Sequence, residues 1–82
     1  MLRNHISETI RILESSIGGI TKTKLMYSAY VSYSKVKQYV NLLILSGLLE
    51  YDSLDYVYRT TDKGISFLNT YKQIRRLHIH DL

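Results

Sequence analysis

The hydrophobic pattern of this chain changes period twice along its 82 residues, and that succession leaves few folds open. It starts at helical spacing. Ile6, Ile10, Leu13 and Ile17 recur at four, three and four residues, the apolar stripe of a helix from about Asn4 to Ile17, with Asn4 as its N-cap. Gly18-Gly19 stops it. Thr21 caps a short second helix in which Leu25 and Met26 face inward, and Tyr30-Val31 follow as a brief apolar turn. Ser32 caps a third helix with two faces. Val36, Tyr39, Val40 and Leu43 lie on one side; Ser34, Lys37, Gln38 and Asn41 lie on the other. Past Asn41, Leu42, Ile44 and Leu45 make the last turns apolar nearly all round, which predicts a wet front and a buried back before Gly47 ends the helix. The period then shortens. Leu48–Tyr51 and Tyr56–Arg59 read as two strands joined by the hairpin loop Asp52–Asp55. Thr60 or Thr61 caps a last helix from about Asp62 to Leu77, with Asp62 in its first turn and Arg75 and Arg76 near its end, as the helix dipole favours.

A hydrophobic fraction of 45% with 22% charged residues predicts a globular chain, a single domain over residues 1–82. A chain this short buries only about 60% of its unfolded surface and leaves roughly 5,100 Å² exposed, a marginal core. With no cysteine, a disulfide framework and a cysteine-based zinc site are excluded. No apolar run reaches the roughly 18 residues that span a bilayer, and the segment Met1–His5 lacks the apolar core of a signal peptide. A cytoplasmic, nucleoid-associated location is expected. The net charge of +4 admits nucleic acid, an acidic protein or an anionic membrane as partner.

The placement of that charge is more informative than its sum. Between Glu14 and Glu50 there is no acidic residue, and the same stretch holds Lys22, Lys24, Lys35 and Lys37. The remaining basic and acidic residues cancel, so the net charge belongs to the middle third of the chain. A solvated face is the bland reading. An anion-binding surface is the other.

Two helices joined by a tight turn, the second with a polar basic front, form a helix-turn-helix; a hairpin directly after them makes it winged. The expected fold is α+β and mainly helical: three helices, a β-hairpin wing and a C-terminal helix. A helix fits the DNA major groove and reads base edges from its N-terminal side chains. Tyr33, Ser34, Lys35, Lys37, Gln38 and Asn41 are the candidates for base contact. Lys22, Lys24 and Arg59 are the candidates for the phosphate backbone. The wing tip carries Asp52 and Asp55, which phosphate repels, so the binding energy is assigned to the third helix and the start of the second.

The chain also resembles a known family, the archaeal winged helix-turn-helix domains of the ArnR-like kind, related to small dimeric archaeal chromatin-type winged-helix proteins. The resemblance is carried by Ile12-Leu13-Glu14, Gly18 to Tyr27, Ser32-Tyr33, Tyr39, Leu42-Leu43, Gly47 to Tyr51, Thr60 to Gly64 and Phe67-Leu68. It covers about residues 6 to 74. It implies duplex DNA binding, a transcriptional or chromatin role, and dimerisation through the last helix.

That helix has an apolar stripe of Ile65, Phe67, Leu68, Tyr71, Ile74 and Leu77, broader than one small domain needs. Pairing two such helices in a homodimer over about residues 62–77 relieves the marginal core and sets two reading helices about one DNA turn, roughly 34 Å, apart. Among the eight tyrosines, Tyr27, Tyr39, Tyr51 and Tyr58 are expected in packing, and the set lies on too many elements to form one single-strand platform. His78-x-His80 supplies two ligands without a third, so no metal site is expected, and no cofactor or small-molecule substrate either. Asp52 and Asp55 sit on a hairpin tip without the burial that tunes an acid or base, and no glycine-rich phosphate loop or nucleophile elbow occurs, so an enzyme is not expected. The expected function is that of a sequence-specific duplex DNA-binding transcription regulator acting as a homodimer with the third helix in the major groove; the alternatives are an architectural DNA binder and a protein-interaction module that does not bind DNA, for which the acidic wing is the best support.

Overall fold

The computed structural model describes residues 2–28 and 32–81, with side chains over 6–28 and 32–77. The order is α1 (Leu2–Ser15), β1 (Ile20–Thr21), α2 (Lys22–Ser28), α3 (Tyr33–Leu45), β2 (Leu49–Asp52), β3 (Val57–Thr60) and α4 (Asp62–Asp81). This is the expected mainly helical α+β arrangement, a winged helix-turn-helix. The Tyr30-Val31 turn and the His78 and His80 side chains lie outside the described residues.

Local chemistry sets most element ends. Thr21 Oγ1 accepts from Lys24 N at 3.3 Å and Ser32 Oγ from Lys35 N at 3.4 Å, so both expected caps open their helices. Thr61 rather than Thr60 caps α4, its Oγ1 accepting from Gly64 N at 3.0 Å. At the other end of α3, Leu48 N donates to Leu43 O and Gly47 N to Ile44 O, with Gly47 at φ +77. These are the paired bonds of a Schellman stop, which needs a left-handed residue there. α1 starts at Leu2, so Asn4 lies inside the helix instead of capping it.

The sheet has an unforeseen member. β1 pairs antiparallel with β3 (Ile20 opposite Tyr58), giving the order β1-β3-β2. Two residues carry no readable alternation, so no pattern announces this strand. Asp52 ends β2 opposite Val57 and the turn occupies 53–56, shifting the expected strand residue Tyr56 into the turn, at φ +57.

The core comprises Ile10, Ile12, Leu13, Leu25, Val36, Val40, Leu43, Leu49 and Leu68, with Ile20, Met26, Tyr39, Leu48, Tyr58 and Tyr71 packed against it. Several expectations are corrected here. Ile12 is buried while Ile6 and Ile17 of the supposed stripe are exposed, because α1 turns Ile10, Ile12 and Leu13 toward the neighbouring elements. The back of α3 is not buried. Leu42 and Ile44 are exposed and Leu45 is 86% accessible, since α3 packs on α1 and β2 through the single stripe of Val36, Val40 and Leu43. Tyr27 and Tyr51 are exposed, not packed away. Two buried polar residues join α1 to the sheet. Thr60 Oγ1 donates to Leu13 O at 2.6 Å, Ser16 Oγ donates to Ile12 O at 2.7 Å, and Thr60 N donates to Ser16 O at 3.1 Å. Each buried hydroxyl is satisfied, as its burial requires. The accessible surface is 6090 Å², well above the roughly 5,100 Å² expected for this mass.

Candidate nucleic-acid interface

The fold brings the acid-free stretch to one place. Lys22 is the first residue of α2 and Lys24 lies in the same turn; Lys35 and Lys37 lie in the first turns of α3. All four are exposed. Burial of Val36, Val40 and Leu43 turns Ser34, Gln38 and Asn41 to solvent, with Tyr33 exposed at the head of the helix. The six candidate base-reading residues therefore form a continuous wet face. The two helix starts add amide donors and positive dipole ends to the lysine charges.

Two side chains link these helix starts. The Lys22 ammonium lies over the Tyr33 ring, 5.5 Å from its centroid. Hydrogen bonding with the phenol, reinforced by charge, raises the Lys22 pKa and lowers that of Tyr33. Nothing in the spacing of residues 22 and 33 signals this contact.

Arg59 is placed differently from its lysine companions. It is half-buried, and its Nη1 donates to Asp52 Oδ2 at 2.8 Å, with Asp55 3.9 Å from Nη2. Asp52 lies two positions from the register partner of Arg59, a diagonal neighbour across the hairpin. Its other oxygen accepts the Leu54 and Asp55 amides, so one carboxylate braces the whole wing turn. These contacts, the Arg59 bond first, hold the Asp52 pKa below its ordinary value. A depressed carboxylate pKa stabilises the fold above the unfolded value of about 3.9 and ceases to do so as pH falls through the folded value. The NMR shift of the Leu54 amide, which donates to Asp52, is therefore expected to stay constant down to about pH 4 and to titrate below it. Asp52→Asn removes that titration; its persistence in the variant would show that another group braces the turn.

A family model described as winged helix-turn-helix matches residues 3–79, almost the whole chain. The chain belongs to the winged helix-turn-helix family. Members of this family are built to bind duplex DNA, and their fold is typically non-enzymatic. Among curated proteins, none matches this winged helix-turn-helix chain with significant similarity. Among the described residues no helix is long and apolar enough to cross a membrane, and no group of three or more His, Cys, Asp or Glu side chains could hold a metal.

The expected dimer stripe is divided by the fold. Leu68 is 2% exposed and belongs to the monomer core, so it is withdrawn from the interface. Ile65 and Tyr71 are half-buried, while Phe67, Ile74 and Leu77 are exposed, Ile74 at 61%.

Proposed function

We propose that this winged helix-turn-helix protein is a sequence-specific duplex DNA-binding regulator of the archaeal ArnR-like branch, acting as a homodimer with α3 in the major groove. The observation that carries it is the joint exposure of Lys22, Lys24, Lys35 and Lys37 around the polar face of Ser34, Gln38 and Asn41, on a chain neutral elsewhere. Tyr33, Ser34, Lys35, Lys37, Gln38 and Asn41 enter the groove, where Lys35 and Lys37 meet guanine edges and the phosphates that flank them, and Lys22 and Lys24 hold the backbone. Arg59, bound to Asp52, contributes a smaller share than a free cation.

The dimer uses the exposed Phe67, Ile74 and Leu77 with the rims of Ile65 and Tyr71, apolar surface that a monomer leaves in water. Phe67→Asp with Ile74→Asp is expected to sediment as a folded monomer, since both positions are accessible. A dimeric double variant would relocate the interface. Selection from a random duplex pool tests the function itself. The recovered sequence should bind about a thousandfold tighter than random duplex of equal length. A ratio near unity would leave an architectural binder, and no binding to any duplex an interaction module.

A further inference from the structure

The wing is poorly furnished for gripping phosphate. Arg59 is bound to Asp52 and Asp55, and Glu50 adds a third carboxylate to the same hairpin. The wing is instead rich in aromatic surface. Tyr51 is 46% exposed and leans on Tyr58, directly opposite it across the hairpin, with ring centroids 5.0 Å apart and planes at 57°. Ile20 of β1 continues this row on the far side of Tyr58, two residues before Lys22. The row thus leads from the wing edge to the Lys22 ammonium, which covers the Tyr33 ring at the head of α3.

An exposed phenol beside an acidic hairpin attracts a flat π-system more than a phosphate. Stacking on aromatic side chains tolerates any base, because every base has a π-face. In an intact duplex those faces are covered by neighbouring base pairs, so a base that lies on Tyr51 is an unpaired one. We propose that the surface running from the wing edge to the start of α2 binds an unpaired nucleotide, its base stacked on Tyr51 and its phosphate held by Lys22. The site shares Lys22 with the proposed duplex face, but Tyr51 stands on the wing and not on α3, so substitutions separate the two.

The chain has no tryptophan, so its intrinsic fluorescence comes from its eight tyrosines, and the part of the quenching that Tyr51→Leu removes is the part due to stacking on Tyr51. The test compares short oligo(dT), oligo(U) and an abasic deoxyribose-phosphate strand of the same length, alongside a duplex. Oligo(dT) or oligo(U) should quench and should bind about tenfold tighter than the abasic strand. The tighter of the two identifies DNA or RNA as the source of the nucleotide. Tyr51→Phe keeps this preference. Tyr51→Leu, which retains bulk against Tyr58 without a ring, brings affinity down to the abasic level while the thermal midpoint and duplex affinity stay near those of the parent. An abasic strand bound as tightly as both oligonucleotides, or a folded Tyr51→Leu variant that keeps the preference, would overturn the proposal. A lost duplex interaction with the base preference intact would sink the duplex reading alone.

Discussion

Gly64→Ala is expected to cost about 3 kcal/mol and to lower the thermal midpoint by roughly 10–20 °C, although it adds one methyl group to a helix. Gly64 is buried in the first turn of α4, where a Cβ would press on the Leu48 carbonyl oxygen and come within 2.6 Å of Thr60 Cγ2. Neither neighbour can yield. Leu48 O accepts from Thr61 N at 3.1 Å, and Thr60 is fixed by its own bond to Leu13. The same seat carries Thr61 Oγ1 to Gly47 O at 2.7 Å and Lys63 Nζ to Ser46 O at 2.9 Å, so the start of α4 is bolted onto the end of α3. Relieving the clash means lifting α4 from this seat and loosening Leu68 from the core. The Thr-Asp-Lys-Gly run at 61–64 thus has a physical reading: a cap, a charge for the dipole, a clamp on the preceding helix, and a residue without a side chain where two backbones meet. Thermal denaturation followed by circular dichroism checks it; an unchanged midpoint would mean that α4 is not seated this way.

Lys35→Glu with Lys37→Glu is expected to weaken duplex binding at least about a hundredfold at 0.1 M salt while the fold survives. Both side chains are exposed, and the stripe that anchors α3, Val36, Val40 and Leu43, is untouched. The substitution removes two cations from each reading helix and puts two anions at its positive end, the side that faces phosphate in the proposed complex. The added carboxylates favour the helix N-terminus electrostatically, so stability should hold or rise slightly while binding collapses. That divergence separates an interface residue from a structural one. Electrophoretic mobility shift or anisotropy titration measures the first quantity and thermal denaturation the second. A variant that binds duplex like the parent would remove α3 from the groove.

Much of this architecture is legible in the sequence because its signals are local. Ser32 and Gly47 bracket α3, Thr21 opens α2, and the alternation of aromatic and β-branched residues announces the hairpin. What stays hidden depends on partners distant in sequence. β1 exists because β3 comes to lie beside it, and two residues cannot show a period. Arg59 reads as a free cation until the hairpin register sets Asp52 diagonal to it. Leu42 and Leu45 look like core because they are apolar, but apolar character does not supply a neighbour, and α1 and β2 cover one stripe of α3. The candidate site was more legible than the core for the same reason. Exposure of Ser34, Gln38 and Asn41 follows from helical spacing once Val36, Val40 and Leu43 are known to be inside, whereas the Lys22–Tyr33 contact is tertiary.

In the proposed complex, lysines at the heads of α2 and α3 bind duplex phosphate in a twofold assembly. The dependence of duplex affinity on salt concentration tests it most directly, because each neutralised phosphate contributes about 0.9 to the slope of log K against log salt. Four lysines on each of two protomers give an expected slope of roughly −7, falling to about half that in the Lys35→Glu, Lys37→Glu variant. A slope near zero, or one the double substitution leaves unchanged, would contradict the claim.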